Sequence, residues 1–228
     1  MSQGAPSVSI IIPTLNEEHV IGALLECLVP QQPDEIIVAD GCSSDRTVEI
    51  ASHHARVVRS APIRGTQMNH GAEASSGEVL LFLHADVRPS SRAVEELRRT
   101  MRTPAIIGGN FSIRYEGRDM AAAFFTWVSR VRRPCGVFYG DSGIFCRRNV
   151  FEGLGGYRPW QIMEDYEFAR RLWRAGKLAL LDEPIGVSAR RWRKLGLPRT
   201  VWSWVWIQGL YSAGMSPGRL AKMYRNVR

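Results

Sequence analysis

Four short aliphatic or β-branched stretches, each followed by a segment of helical periodicity, limit this chain more than any other feature. The stretches are "VSIII" (8–12), "EIIVAD" (35–40), "ARVVRS" (55–60) and "EVLLFLHAD" (78–86). Between them, "NEEHVIGALLECL" returns apolar residues at Val20, Ile21, Leu24, Leu25 and Leu28, with Asn16 as the expected cap. "SDRTVEIASHH" reads as a second helix capped by Ser43 or Ser44, and "GTQMNHGAEASS" as a third. Strands this apolar need cover on both faces. Their alternation with helices predicts an α/β chain with a mostly parallel, Rossmann-like sheet flanked by helices.

The second half is less regular. "GGNFSIRY" and "SGIFCRR" read as strands, and "EDYEFARRLWRAG" as a helix stopped by Gly176. From residue 198 the chain reads as two helices split at "GMSPG", so the expected organisation is a sheet domain over 1–197 and a helical extension over 198–228. A length of 228 residues with 45% hydrophobic and 23% charged residues fits one domain with such an appendage.

Charge is distributed unevenly. The net charge is +8, yet no acidic residue follows Glu183. That tail holds nine basic residues and four of the seven tryptophans, so the body before it is near neutral and the tail suits an anionic partner. "TVWSWVWIQGLY" is flanked by "RRWRK" and by Arg219, Lys222 and Arg225, which suits peripheral contact with a membrane surface. The blander use has Trp202 and Trp206 packed on the sheet domain while Trp204 points elsewhere, and a homodimer interface is a third use. No run reaches the roughly 18–20 apolar residues of a spanning helix, and "MSQGAPS" lacks a basic leader pattern. The expected location is therefore cytoplasmic, with the inner membrane face as a peripheral station. Cys27, Cys42, Cys135 and Cys146 show neither metal-ligand spacing nor a disulfide pattern.

In such a sheet, ligands bind beyond the carboxyl ends of the strands. Three of these ends carry polar residues: Pro13 to Glu17, Asp40-Gly41, and His84-Ala85-Asp86. Asp40 can accept from a base N–H or a ribose hydroxyl, or it can simply end a βα turn. Asp86 can ligate a hard divalent cation whose other oxygens come from a diphosphate, or it can cap the helix expected over 90–102. Arg64 opens the third helix as a phosphate or ribose contact, while Gly71, Ala72 and Ala74 suit close packing. Glu164 and Asp165 start a helix, where acids complement the dipole and where one can serve as a general base.

Together these residues resemble the family 2 glycosyltransferases of GT-A fold. The resemblance is carried by "IIPTLNEE", "VADGCSSDRT", "LLFLHAD" in the slot of the DxD motif, and "MEDYEFARRL" in the slot of the base-bearing motif. A narrower likeness, carried also by "RGTQMNHGA", "YGDSGIFCRR" and "SARRW", is to the bacterial subgroup associated with radical-SAM and selenodomain proteins. Some members of that subgroup are labelled as arsenosugar-biosynthesis enzymes.

The resemblance implies an inverting transfer of a sugar from a nucleotide-diphosphate sugar, with a UDP-sugar favoured, to an acceptor hydroxyl, assisted by Mn²⁺ or Mg²⁺. By position, Pro13, Thr14, Glu17 and Asp40 would hold the nucleoside, with Arg64 and His84 near the donor. Asp86 would bind the metal. Asp141 would lie where acceptor and donor sugar meet. Arg190, Arg191 and Trp192 would approach the diphosphate, and Asp165 would act as base with Glu164 beside it. The acceptor is unidentified, and a lipid-like one fits the tail.

Two departures stand out: Cys42 replaces a glycine in the "DGGS" turn, and His84 replaces the first Asp of DxD, leaving Asp86 nearly alone as protein ligand. The alternatives are a nucleotide-sugar-binding protein without transferase activity and a nucleotidyltransferase on a similar sheet. The acidic, glycine-free "PTLNEE" argues against the second. A nucleic-acid partner is disfavoured, because acidic strand ends would repel a phosphate backbone.

Overall fold

The computed structural model describes residues 4–117, 119–188 and 197–225. Its strands are β1 (Val8–Thr14), β2 (Glu35–Asp40), β3 (Arg56–Arg59), β4 (Val79–Phe82), β5 (Val87–Pro89), β6 (Ile106–Tyr115), β7 (Ile144–Arg147) and β8 (Lys177–Val187). They form one sheet in the order β3-β2-β1-β4-β7-β6-β8-β5. The helices are α1 (Ile21–Leu28), α2 (Thr47–Ala51), α3 (Arg64–Glu73), α4 (Ala93–Met101), α5 (Met120–Arg132), α6 (Arg148–Gly153) and α7 (Glu164–Ala175). Two more follow in the tail, α8 (Leu197–Ser212) and α9 (Pro217–Arg225).

Every residue of β1 is buried, which explains its unbroken apolar run. Alternate residues serve opposite layers. Ile10 and Ile12 join Leu24, Leu28, Val38 and Leu97 on one face. Ile11 joins Met68, Leu80, Phe82 and Phe168 on the other. α3 lies close on the second face, where a Cβ on Gly71 would come within 2.4 Å of the Ile11 side chain. Close packing is thus what the small residues of α3 do.

β1 pairs in parallel with β2 and β4, and β2 with β3, as the alternation predicts. Beyond β4 the sheet becomes mixed, because β7 runs antiparallel to both β4 and β6 while β6 and β8 are parallel. Four elements escape the sequence reading: β5, α5, α6 and β8. β8 contains Asp182, Glu183 and Pro184, which interrupt a strand pattern. The register shift between Phe111 and Ser112 absorbs that interruption as a bulge. α5 is capped by Asp119, whose carboxylate accepts the Ala122 N–H at 2.8 Å.

Several boundaries differ for local reasons. Asn16 does not cap α1, which starts at Ile21 behind Val20 with no side-chain cap. Asn16 instead has φ 56°, and its Oδ1 accepts the Ser44 N–H at 2.9 Å. Neither Ser43 nor Ser44 caps α2, which starts at Thr47 behind Arg46. β4 stops at Phe82, so His84 and Asp86 lie in the turn leading to β5. Asp86 does not cap α4, whose N-cap is Arg92. Gly176 ends α7 with extended backbone, φ 166°, leading straight into β8.

The two tail helices form as expected, but the inward side of α8 is the reverse of the packing first read for it. Trp204 packs edge-on against Phe125 of α5, with ring centroids 5.6 Å apart. Trp202 and Trp206 stack on each other at 5.9 Å and are 68% and 50% exposed. A helix buries one stripe, and residues 202 and 206 share a stripe that 204 does not. Among the described residues, no helix is long and apolar enough to cross a membrane.

One buried side chain ties the first two strand tips together. The Gln67 amide nitrogen donates to the Thr14 carbonyl at 2.6 Å and to the Ala39 carbonyl at 2.8 Å. Gln67→Leu removes both bonds from a site that is 4% exposed. We expect a loss of about 1–3 kcal/mol, read as a lower urea midpoint at unchanged slope. An unchanged midpoint would mean that the tips hold without this clamp.

Candidate active site

The first part of the rim is a pair of laced loops. The β1–β2 register sets Pro13 against Ala39 and Thr14 against Asp40, bringing the tips of these strands side by side. The Asp40 carboxylate is 1% exposed and accepts three hydrogen bonds. These come from Thr14 Oγ1 at 3.2 Å, the Ser43 N–H at 2.8 Å and the Ser43 hydroxyl at 2.5 Å. The Ser43 Oγ in turn accepts the Asn16 N–H at 2.9 Å, and Thr47 Oγ1 accepts the Glu17 N–H at 2.7 Å. The serine expected to cap a helix is thus used to fix the strand-tip carboxylate. Pro13, Thr14, Glu17 and Asp40 do converge.

Cys42 in this turn has φ 66°, so the chain keeps the left-handed conformation that a glycine would favour. The thiol is exposed and packs toward the Ser60 carbonyl at 3.6 Å.

The second part of the rim gathers acids. Gly140 opens a short 3₁₀ turn over Gly140–Ser142, and its N–H donates to Asp165 Oδ2 at 2.8 Å. Asp165 Oδ1 accepts the N–H of Tyr166 at 2.7 Å. A Cβ on Gly140 would fall 2.5 Å from His84 Nε2 and 3.2 Å from Asp165 Oδ2, so only glycine lets the β4 turn and the start of α7 meet here. Glu164 is fully buried and forms an ion pair with Arg64 Nη1 at 3.2 Å, yet neither of its oxygens accepts a hydrogen bond. Just before α7, Met163 sits at φ 66°, an uncommon conformation for a residue with a Cβ. His84 Nε2 and Asp141 Oδ1 are also buried without a hydrogen-bond partner.

Burial dominates the electrostatics of this cluster. It pushes the Glu164 carboxyl up to about 7, with Asp165 adding to the rise and Arg64 opposing it. It pushes Asp141 up to about 6, where Arg132 opposes while Asp165 and Asp86 reinforce. It pushes the His84 imidazole down to about 4, helped by Arg64, so His84 is neutral near pH 7. Asp86 itself is exposed.

These positions fit a divalent cation shared with a diphosphate. His84 Nε2 and Asp141 Oδ1, both within the field of the exposed Asp86, have no hydrogen-bond partner, while among the described residues no three His, Cys, Asp or Glu side chains form a ready-made metal site. Phosphate oxygens would have to complete the coordination.

An aromatic wall borders the acids, and the sequence reading did not pick it out. Tyr139 and Tyr166 stack at 5.4 Å, directly adjoining Gly140 and Asp165 in the chain. The Arg132 guanidinium lies 4.8 Å from the Tyr139 ring centre. α8 closes the wall: the Tyr139 hydroxyl donates to Gln208 Oε1 at 2.7 Å, and Tyr211 meets Tyr166 edge-on at 5.8 Å. The available signal was the aromatic residue next to the acid in "FYGD" and "EDYEF". Arg190, Arg191 and Trp192 lie outside the described residues.

Comparison with known proteins agrees with this geometry. The chain is 28% identical over 200 residues to "Probable glycosyltransferase YdaM" of Bacillus subtilis, covering 75% of this chain and 47% of that protein. It is 29% identical over 180 residues to the "PGL/p-HBAD biosynthesis glycosyltransferase" of Mycobacterium bovis, covering 72% of this chain and 68% of the other. The chain thus spans about half the length of the first relative and two thirds of the second. Among solved structures, the fold is similar to that of the mannosyltransferase PcManGT from Pyrobaculum calidifontis in complex with GDP-Man and Mn²⁺. That match has a TM-score of 0.63 at 21% identity, over 79% of this chain and 55% of the other. It is also similar to glucosyl-3-phosphoglycerate synthase from Mycobacterium tuberculosis in complex with Mn²⁺, UDP and phosphoglyceric acid. There the TM-score is 0.61 at 24% identity, over 80% of this chain and 69% of the other. The family model described as "Glycosyl transferase family 2" matches residues 9–153, and with that span the chain belongs to glycosyltransferase family 2, with the GT-A fold.

Proposed function

We propose that this protein transfers a hexosyl group from a nucleotide-diphosphate sugar to an acceptor hydroxyl in a single inverting displacement. The observation that carries this reading is the junction at Gly140. It sets the buried Asp165 carboxylate beside His84, on the same rim as the laced Asp40 loops. A nucleoside seated at Pro13, Thr14, Glu17 and Asp40 would point its diphosphate along the rim toward Asp86. A UDP-sugar is the favoured donor. The motif string shared with the radical-SAM and selenodomain-associated subgroup supports membership there.

Each residue has a role set by its charge and place. Asp86 would hold a Mn²⁺ or Mg²⁺ ion together with the diphosphate oxygens. When bound, that cation supplies positive charge to the leaving group as the glycosidic bond breaks. Arg64, 40% exposed and paired with Glu164, reaches the same region and adds a second positive group. His84 stays neutral and fills the space that a second carboxylate would take. Asp165 accepts the proton of the acceptor hydroxyl on the face of the sugar opposite the leaving group, and the resulting oxyanion attacks the anomeric carbon. Asp141 lies where acceptor and donor sugar would meet, next to the wall of Tyr139 and Tyr166.

Asp86→Ala is expected to abolish transfer and the metal dependence of donor binding while thermal unfolding stays near that of the parent. Normal turnover in this variant would remove Asp86 from the donor site. A thermal-shift panel of UDP-, GDP- and dTDP-sugars with and without Mn²⁺ identifies the donor, since a specific ligand raises stability by RT ln(1 + [L]/Kd).

Asp165→Asn keeps one acceptor for the Gly140 N–H but loses the base. kcat should fall by roughly 10²–10⁴ with donor affinity little changed. Undiminished transfer would leave Asp165 as a helix-start residue only.

Glu164 gives a pH test. Its carboxyl rises from 4.5 to about 7 on folding, so its contribution to stability is present below the unfolded value and is lost as pH rises through about 7. Glu164→Gln lacks this loss. The melting temperature of the variant minus that of the parent should therefore rise between about pH 5 and pH 8. A difference that is flat or falls with pH would mean that Arg64 holds Glu164 ionised.

A further inference from the structure

Seven of the large exposed apolar side chains of the described residues lie on α5 and α8. On α5, Met120, Phe124, Trp127 and Val131 follow one another at helical spacing and are 90%, 55%, 59% and 55% exposed. On α8, Trp202, Val205 and Trp206 are at least half exposed. Phe125 and Trp204 meet edge-on, so the two helices that carry these stripes are in contact. Patches of this kind on a protein surface mark a partner or a membrane.

Basic residues accompany these stripes, with Asp182 and Glu116 among their neighbours. An open pocket of about 460 Å³ lies between the end of β6 and α5 and is lined by Arg114, Trp127 and Arg130, with Tyr115, Thr126 and Asp119. Asp119 is engaged as the α5 cap. Arg130 reaches Asp182 only at 3.8 Å and stays 71% exposed. On α9, Arg219 and Lys222 are exposed, and no acidic residue follows Glu183 to offset them.

We propose that these stripes dock the protein on the surface of an anionic lipid bilayer. Trp127, Trp202 and Trp206 would enter the headgroup layer, and Arg114 and Arg130 would take a lipid phosphate. Tryptophan favours that layer because its ring is apolar and its N–H is not. Docking is peripheral, because no described helix is long and apolar enough to span.

The test is flotation of the full chain with vesicles of neutral phosphatidylcholine and with vesicles also containing phosphatidylglycerol. The expected result is binding to the anionic vesicles alone, released near 1 M salt, where the Debye length falls to about 3 Å. Arg114→Gln and Arg130→Gln should each weaken it about fivefold. Trp202→Ser with Trp206→Ser should weaken it and reduce quenching of tryptophan fluorescence by brominated lipid to the share left by Trp127. These side chains are exposed, so unfolding temperatures should match that of the parent. If a variant unfolds, quenching of the parent by brominated anionic lipid decides the matter. Equal recovery with neutral vesicles, no binding at low salt, or variants that bind like the parent would overturn the proposal. So would a dimer that hides the same tryptophans, or RNA binding without vesicle binding.

Discussion

The cost of burying carboxylates against one another governs this molecule. Glu164 and Asp165 are adjacent and buried, with Asp141 one residue beyond the glycine that contacts Asp165. Nothing in the cluster neutralises all of them. Arg64 meets Glu164, Arg132 acts on Asp141, and His84 is held neutral by its own burial. A site built this way has a deficit of positive charge and polar atoms without partners, which a phosphate-bound cation and a polar substrate would repair. The first half of the chain delivers His84 and Arg64 to this point and the second half delivers Gly140 and Asp165. The contact between the halves is therefore also the place of greatest electrostatic tension.

The other end of the rim is built on the opposite principle. Asp40 has its hydrogen bonds satisfied by Thr14 and Ser43, and the backbone of Asn16 and Glu17 is pinned by Ser43 and Thr47. A carboxylate held by three donors is fixed in position, so a ligand meets a rigid wall there. At the acidic end, by contrast, buried oxygens still lack partners. One end is suited to recognition and the other to chemistry.

What was legible in the sequence follows from how local the signal is. β1, β2 and β4 were found because a strand buried on both faces must be apolar throughout, whereas the half-exposed edge strand β3 was found from its Val57-Val58 pair. The polar residues at their tips stand out against those apolar runs and marked the candidate site. Non-local uses of short side chains stayed hidden. Asn16, Ser43 and Ser44 have the chemistry of helix caps, and nothing in their neighbours shows that they bond across 27 or 28 residues to one another instead. β8 was missed because a bulge accommodates the Asp-Glu-Pro run that would break a regular strand. The tryptophans of α8 were assigned the wrong sides because alternate residues of an apolar helix look alike until the partner, Phe125, is known.

The grip of α8 on the site has a mechanical consequence. Gln208 holds the ring that precedes Gly140, and Tyr211 holds the ring that follows Asp165. One residue of rotation in a helix swings a side chain through about 100°. Even a slight roll of α8 would therefore drag on both aromatic rings at once, and through them on the hydrogen bond between Gly140 and Asp165. The outer face of the same helix carries Trp202 and Trp206. α8 is thus a shaft with its handle in the solvent and its bit against the acidic cluster, and any torque applied outside arrives at the Asp165 carboxylate.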